Sequence, residues 1–232
     1  VDVQDRIPAY VFSPAEVWDG LFGKDGKPLC LGLVMDWAGW QKENSSAFES
    51  LQAVLKAMSP SDKERLTAGD LTRVSLDDAR DIPTIRMPYG QDVAVLHASA
   101  GMRRILALAY LLVWTWEEHC KAAKLLREEP TNQVVFLIDE VESHLHPQWQ
   151  RQIIPALLAV AKTLIKKAEV QVITATHSPL VMASVEPLFD AGKDAWFDLD
   201  LERKKVVLRQ REFEKHGSAA NWLISEAFDL QS

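Results

Sequence analysis

Apolar residues recur at helical spacing in two long stretches of the chain. Over residues 99–129 they fall three or four positions apart, which predicts one long helix that ends before Pro130. A second helix is predicted over residues 147–167, with a bend at Pro155. The residues expected to face the core are Ile105, Leu108, Ala109, Leu112 and Trp116 in the first helix and Ile153, Ile154, Leu157, Leu158, Ala161, Leu164 and Ile165 in the second.

Short apolar runs lie on either side of the second helix. VVFLI at 134–138 and VQVITA at 170–175 are typical of strands buried on both faces of a parallel sheet. Together with the helix they predict a βαβ unit with a right-handed crossover. WFDLD and KVVLR, around a polar turn, predict a C-terminal β-hairpin, and a short helix is expected over residues 218–230. The predicted fold class is α/β, with a mostly parallel sheet flanked by helices.

The region before residue 96 lacks this clear periodicity. One helix is expected around residues 46–58, and the rest reads as irregular connections with Pro, Gly and Asp turn signals. We therefore divide the chain into residues 1–95, a mixed α/β or helical region, and residues 96–232, which carry the βαβ unit.

Composition indicates a folded protein without a membrane span. Of the 232 residues 47% are hydrophobic, and no apolar run approaches the roughly 20 residues that cross a bilayer. The net charge of −7 argues against a broadly basic nucleic-acid-binding surface but leaves a local basic patch open. Cys30 and Cys120 do not resemble a disulfide framework, so a cytoplasmic location is expected.

Two acids and a histidine follow the predicted parallel strands. Asp139 and Glu140 come directly after the first strand, and Thr176 and His177 come after the second. Because the carboxyl ends of parallel strands meet at one edge, we expect these side chains to share a crevice. A carboxylate there can hold Mg²⁺, a second can activate water, and a histidine can bind a γ-phosphate, which together suit nucleotide hydrolysis. The alternative is that the two acids only begin a polar loop.

Four motifs, in this order along the chain, resemble those of ABC-type ATPase heads. ASAGMRRILALAYLL resembles the signature and its helix, FLIDE a Walker B motif with its catalytic Glu, ESHLHP the D-loop segment, and ATHSP the switch-histidine motif. The DE-x-E-x-x-L-H-P form is most similar to the OLD-like and related RecF/SMC-type ATPases of DNA repair and antiphage defence. The resemblance covers about residues 97–186 and implies a P-loop NTPase-like fold.

The resemblance also implies roles for the residues at the strand ends. Asp139 would be the Mg²⁺ ligand, Glu140 the general base and His177 the switch histidine of ATP hydrolysis. The signature would then contact ATP bound mainly by a partner subunit, so the chain would act as a homodimer or larger assembly.

The signature residues implied by the resemblance are Ser99, Ala100 and Gly101. Ser99 is a good N-cap, and the start of a long helix presents unpaired N–H groups to an anion. The alternative is that Ser99 only caps a core helix. The chain departs from the usual signature, which has two glycines and a Gln, and His146 stands where a D-loop Asp is common.

A phosphate-cradling loop of the form G-x-x-x-x-G-K-[ST] does not occur in the sequence. Each of the three Gly-Lys pairs is followed by Asp or Pro in place of Ser or Thr. We expect that half of the ATP site to lie upstream of Val1, in agreement with the absence of an initiator Met. Residues 1–232 alone are therefore predicted to show no measurable ATPase activity.

Histidine and arginine clusters allow other interpretations. His144, His146 and His177 offer three imidazoles to zinc, although no acid or Cys at familiar spacing completes the set. Arg103 and Arg104 are candidates for binding a phosphate or a partner carboxylate, or for a solvated helix face.

Tryptophans and lysines are ambiguous in the same way. Trp37 and Trp40 are candidates for stacking on an adenine or a base, but core packing is the favoured interpretation. The basic runs at 166–167 and 203–205 are interpreted as solvated helix ends and turns, with DNA contact as the alternative.

The predicted function is ATP binding and hydrolysis at a dimer interface, which would drive or gate a DNA-repair or antiphage-defence assembly. The predicted cofactors are ATP and Mg²⁺, and the resemblance implies DNA and an associated nuclease as candidate partners. One alternative is an ATP-gated scaffold that dimerises and recruits a nuclease effector with little turnover. A further alternative is a degenerate domain that binds no nucleotide.

Overall fold

A computed structural model describes residues 9–225 and residue 228. Contacts between residues divide the chain into two compact units. The helical unit comprises Val1–Val135 and Ala156–Gln171, and the strand-end unit comprises Phe136–Pro155 and Val172–Ser232. The boundary between residues 95 and 96 stays a prediction.

The helical unit begins with a short helix and a small hairpin, followed by two longer helices. These elements are α1 (Pro14–Asp19), β1 (Leu21–Phe22), β2 (Pro28–Cys30), α2 (Gly32–Glu43) and α3 (Ser46–Ala57). Ser13 and Ser45 cap α1 and α3, because each side chain accepts a hydrogen bond from a backbone N–H of the first turn. The helix predicted around residues 46–58 is confirmed as α3.

Three very short strands make a second sheet in this unit. They are β3 (Thr67–Ala68), β4 (Thr84–Arg86) and β5 (Asp92–Ala94). The central strand, β4, pairs antiparallel with both neighbours. Strands of two or three residues carry no readable periodicity, which is why the sequence did not predict them.

The long helix predicted over residues 99–129 is confirmed as α4 (Ala100–Leu126). Ser99 is its N-cap, since the Ser99 hydroxyl accepts a hydrogen bond from the Met102 N–H at 3.3 Å. Arg127 ends the helix in a left-handed conformation, with φ at 60°.

The buried face of α4 differs from the predicted one. Trp114 is buried, whereas Trp116, Leu108 and Leu112 are only half-buried. Apolar side chains occur on several sides of this helix, so spacing alone did not determine which side packs inward. The buried residues are Ile105, Leu106, Ala109, Tyr110, Val113, Trp114 and Ala123.

The predicted βαβ unit is present. Its elements are β6 (Gln133–Ile138), α5 (Pro147–Gln150), α6 (Ile153–Leu164) and β7 (Glu169–Thr174). The Glu169 N–H donates to the Asn132 C=O, and the Ala175 N–H donates to the Ile138 C=O. Because these bonds join like ends of β6 and β7, the two strands run parallel.

A turn at Arg151 and Gln152 divides the helix predicted over residues 147–167. Pro155 lies in the first turn of α6, where it lacks the N–H that a continuous helix would donate to Arg151. The predicted bend at Pro155 is therefore a complete break upstream of it. Five of the seven expected core residues are buried, namely Ile153, Ile154, Leu157, Ala161 and Ile165.

The expectation that both parallel strands are buried on both faces is wrong. Side chains alternate between exposed and half-buried along β6 and β7. Leu137 is 80% exposed and Val135 is 61% exposed. Burial on both faces needs a covering layer on each side, and among the described residues this sheet has only two strands.

The remaining described elements belong to the strand-end unit. They are α7 (Pro179–Val185), β8 (Trp196–Glu202), β9 (Lys205–Arg211) and α8 (Ala219–Leu223). The C-terminal hairpin is confirmed, and Arg203 and Lys204 form its two-residue turn with positive φ. The helix predicted over 218–230 is present as α8, and most of the rest of that range lies outside the described residues.

The hairpin has one apolar and one charged face. On the charged face, Arg211 binds Asp198 at 2.8 Å and Arg209 lies 3.8 Å from Asp200. Because cross-strand partners lie on the same face, the apolar side chains form two pairs. These exposed residues are Leu199 opposite Leu208 and Leu201 opposite Val206.

A buried carboxylate fixes the segment that follows the hairpin. Glu186 is only 7% exposed and accepts hydrogen bonds from the His216 N–H at 2.7 Å, the Gly217 N–H at 2.9 Å and the indole of Trp222. Burial raises the pKa of Glu186, but these donors outweigh it and hold the pKa below its usual value. Trp222 also stacks on Trp196, with ring centroids 5.3 Å apart.

The elements together confirm the α/β fold class, with a parallel strand pair and a C-terminal hairpin. Of the helices in residues 9–225, none is both long and apolar enough to cross a bilayer.

Candidate functional site

The ends of the two parallel strands carry the predicted site residues. The bond between Ile138 and Ala175 joins the strands at this edge, and Asp139 and Glu140 follow immediately after the first of them. His177 is the third residue after the second strand, which ends at Thr174. Asp139, Glu140 and His177 all have exposed side chains. The structure thus brings the three residues to one edge of the strand pair, while their chemical roles stay predictions.

Glu140 has an unusual backbone conformation. Its φ is 45°, in the left-handed region, which costs about 1 kcal/mol for a residue with a Cβ atom. Tight turns follow directly, because the Ser143 N–H donates to the Glu140 C=O at 3.0 Å and the Leu145 N–H donates to the Glu142 C=O at 2.9 Å. Strain of this kind is often found where a side chain must point in a functional direction.

Glu142 joins the segment after the first strand to the segment after the second. One carboxylate oxygen accepts the Thr176 hydroxyl at 2.7 Å, and the other accepts the backbone N–H of His177 at 2.6 Å. The sequence did not assign Glu142 any role, because its partners lie 34 and 35 residues away along the chain. Its inclusion in the DE-x-E-x-x-L-H-P motif was the only available signal.

Ser178 makes a second link between the same two segments. Its side chain is buried, donates to the Gln150 side-chain oxygen at 2.7 Å and accepts from the first N–H groups of α7. The Gln150 amide in turn donates to the Leu145 C=O at 2.9 Å. The chain on either side of His177 is therefore held by side-chain hydrogen bonds as well as by the sheet.

The predicted signature residues lie in the helical unit. Ser99 and Ala100 are exposed at the start of α4, and Gly101 is half-buried in its first turn. Arg103 lies over the ring of Trp18, with 4.8 Å from the guanidinium carbon to the ring centroid, so this side chain has an aromatic partner. Contact between the signature and ATP stays a prediction.

The donor chemistry at the strand ends fits Mg²⁺. This ion takes oxygen ligands, often one or two carboxylates, and keeps several waters. Asp139 and Glu140 offer exposed carboxylates of that kind. That Asp139 is the one to hold the ion stays a prediction from the resemblance.

The zinc interpretation is not supported. Within the described ranges, no group of three or more His, Cys, Asp or Glu side chains is placed to hold a metal ion. His146 instead caps α5, since its Nδ1 accepts a hydrogen bond from the Gln148 N–H at 3.4 Å.

Trp37 and Trp40 occupy packing positions. Trp37 is fully buried and donates its indole N–H to the Gln41 side chain at 3.2 Å. Trp40 lies against the ring of Tyr110, with centroids 5.8 Å apart. Core packing of Trp37 is thereby confirmed. Lys204 and its basic neighbours at 203–205 are exposed at the hairpin turn, and their contact with DNA stays a prediction.

Sequence comparison finds one matching family and several relatives. The family described as "AAA domain, putative AbiEii toxin, Type IV TA system" matches residues 24–183. The chain is 28% identical over 142 residues to the Retron Ec83 probable ATPase of Escherichia coli, covering 60% of this chain and 22% of that protein. It is 33% identical over 97 residues to the Septu protein PtuA of Bacillus thuringiensis, covering 41% of this chain and 21% of PtuA. The chain thus spans under a quarter of the length of these curated relatives.

Solved structures with partial similarity include SMC ATPase heads. A chain from work on ATP-driven dimerization and DNA-stimulated activation of SMC ATPases gives a TM-score of 0.47 at 13% identity, covering 75% of this chain and 88% of that one. The SMC head domain from Thermotoga maritima gives 0.39 at 18% identity, covering 71% of this chain and 47% of that one.

Proposed function

Because this chain belongs to the family described as "AAA domain, putative AbiEii toxin, Type IV TA system", we propose that it carries the hydrolytic residues of an Mg²⁺-dependent ATPase. The observation that supports this proposal is the position of Asp139, Glu140 and His177 in the segments that follow the paired ends of β6 and β7. In P-loop NTPase-like and other α/β folds, ligands bind outside the carboxyl ends of the strands. These residues therefore lie at the edge where a nucleotide is expected.

Each of the three residues has a role that suits its chemistry. Asp139 would hold Mg²⁺, which would neutralise phosphate charge when bound. Glu140 accepts a proton from the attacking water, and His177 donates a hydrogen bond to the γ-phosphate as negative charge develops there. The exposure of all three side chains leaves them accessible to a nucleotide.

The phosphate-binding loop is proposed to come from sequence outside residues 1–232. No Gly-Lys pair in this chain is followed by Ser or Thr. The curated relatives are also several times longer than the region that matches. Purified residues 1–232 are therefore expected to show no ATP turnover, and measurable turnover would contradict this part of the proposal.

Assembly and partners form the second part of the proposal. The resemblance to ABC-type ATPase heads implies that Ser99, Ala100 and Gly101 would contact ATP held by a second copy, and the start of a 27-residue helix favours anions. The chain would thus act as a dimer or larger assembly, with DNA and an associated nuclease as partners in antiphage defence or DNA repair. The free thiols of Cys30 and Cys120 agree with a cytoplasmic location.

Glu140→Gln in the full-length protein tests the proposal directly. Loss of the proton acceptor is expected to lower the rate of ATP hydrolysis by about 100-fold or more. ATP binding should persist, because the substitution retains size and removes one negative charge near the phosphates. Phosphate release and equilibrium nucleotide binding measure the two effects separately.

The matched control is Glu49→Gln, which changes an exposed carboxylate on α3 of the helical unit. It should leave both measurements unchanged. If Glu140→Gln hydrolyses ATP as fast as the unaltered protein, the assignment of the base is wrong. If the unaltered protein binds ATP without turnover and its biological output survives Glu140→Gln, the ATP-gated scaffold replaces the hydrolytic proposal.

A further inference from the structure

We infer that Glu142 is a positioning residue that holds His177 in place for catalysis and couples it to the segment after Glu140. This inference rests on the proposed function of His177. Glu142 is thereby added to the candidate site. Its carboxylate is the contact through which a movement of the segment after β6 would reach the segment after β7.

Both oxygens of the Glu142 carboxylate are engaged by the segment that contains His177. The two hydrogen bonds, to the Thr176 hydroxyl and the His177 N–H, measure 2.7 and 2.6 Å. Bonds of this length to a carboxylate belong to the stronger class in proteins. The bond to the N–H acts on the backbone of His177 itself, so it fixes the origin of the imidazole side chain.

The segment around His177 has little other regular structure. The sheet contact ends with Ala175, and α7 begins only at Pro179. Between these points, Thr176 also accepts a hydrogen bond from the Ser178 N–H at 3.1 Å. Losing the Glu142 carboxylate would therefore remove one hydrogen bond from Thr176 and one from His177 at the same time, while the contacts of Ser178 remain.

Glu142 is better suited to positioning than to accepting a proton from water. Its two oxygens already accept two protein hydrogen bonds, whereas a general base must face its substrate water. It also lies among the turns that follow Glu140, so its backbone moves with that segment. Displacement of residues 143–146, for example by another subunit, would then shift His177 through this carboxylate.

The test compares single and double substitutions in the full-length protein. Glu142→Ala is expected to lower kcat by about 10- to 100-fold, in line with the effect of small misplacements, while the KM for ATP stays unchanged. His177→Ala should have a similar effect, and the double variant should be no worse than His177→Ala alone. The inference would be overturned if the two losses of kcat multiply in the double variant. It would also be overturned if Glu142→Ala leaves kcat unchanged or changes only the KM for ATP.

A conservative substitution separates positioning from proton transfer. In Glu142→Gln the amide oxygen can still accept the His177 N–H and the amide N–H can donate to Thr176, so most of the activity should remain. The same substitution at Glu140 should lower turnover by about 100-fold or more. Equal losses from the two Gln variants would show that Glu142 acts as a base and would overturn the positioning role.

A readout that does not depend on activity distinguishes failure of this inference from failure of the proposed function. Amide hydrogen exchange in the peptide that contains residues 175–178 should accelerate in Glu142→Ala and stay unchanged in Glu140→Gln. Faster exchange in a protein without ATPase activity would refute the proposed function and leave the contact standing. Unchanged exchange in Glu142→Ala would overturn the inference whatever the ATPase result.

Discussion

The internal contacts of the helical unit differ from those of the strand-end unit. In the helical unit, α2, α3 and α4 bury many large apolar side chains completely, including Trp37, Leu51 and Ile105. In the strand-end unit, several large apolar side chains are exposed, such as Leu137 and Leu199. In this unit, hydrogen bonds to the Glu142 carboxylate and the Ser178 hydroxyl hold the chain on either side of His177.

This difference indicates a division between stability and positioning. Apolar burial is the dominant favourable term in folding, but it is non-directional. Hydrogen bonds contribute less net free energy but fix the directions of the groups they join. The unit that holds Asp139, Glu140 and His177 therefore uses the kind of contact that sets geometry. Substitutions should have their largest effects on stability in the helical unit.

Trp37→Ala should have the largest effect on stability. Removing this fully buried side chain leaves a large cavity and is expected to lower the free energy of unfolding by about 3–5 kcal/mol. Urea unfolding followed by far-UV circular dichroism measures the loss. Leu76→Ala is the control, because Leu76 is 99% exposed and should change little. Equal losses at the two positions would remove the contrast between buried and exposed apolar groups.

Glu186→Ala should have the next largest effect. It leaves three buried or half-buried donors without their acceptor, so the midpoint of thermal unfolding at pH 7 should fall by about 5 °C. Glu214→Ala removes an exposed carboxylate of the same unit and should change the midpoint little.

The contribution of the Glu186 carboxylate to the stability of the folded chain should also depend on pH. Because folding lowers the pKa of Glu186, its contribution is present above the usual value of 4.5 and is lost as the pH falls through the lowered value. The difference between Glu186→Ala and the unaltered chain should therefore shrink as the pH drops below 4.5. A difference that grows on acidification would contradict the lowered pKa.

The backbone at Glu140 predicts a smaller effect. Glycine accepts the left-handed conformation without a Cβ clash, so Glu140→Gly should be more stable than Glu140→Ala by about 1 kcal/mol. Chemical denaturation of the two variants tests this order. If the Ala variant is the more stable, the left-handed conformation does not exist in solution.

Leu199→Thr should have the smallest effect. Leu199 is 66% exposed on β8, and Thr suits a strand, so the free energy of unfolding should change by less than about 0.5 kcal/mol. The matched variant is Leu51→Thr in the helical unit, where the side chain is fully buried. A large loss at Leu199 would mean that another surface covers this face in solution.

Elements with a long, regular apolar pattern could be predicted from the sequence. The sequence predicted α4, both parallel strands and the hairpin, because each carries its signal within its own residues. The position of Asp139, Glu140 and His177 at one edge of the strand pair could be predicted from the parallel topology alone. The buried side of α4 could not be predicted from the sequence, since Trp114 and Trp116 are both large apolar residues typical of a core.

Features that depend on distant partners could not be predicted. Glu142 reads as one more acid in a polar turn until Thr176 is brought beside it by the crossover. Glu186 likewise has donors 30 or more residues away. Exposure of Leu137 depends on which layers surround the sheet, and an apolar run does not report that.

The two-faced hairpin has a consequence for how the protein responds to salt. Higher ionic strength screens the pairs that Arg211 and Arg209 make with Asp198 and Asp200, and so weakens the charged side. Sulfate and similar salts also strengthen the tendency of apolar groups to leave water, and this effect favours burial of the apolar face of the hairpin. The kind and concentration of salt in the buffer should therefore change how readily the apolar face of the hairpin associates with another apolar surface.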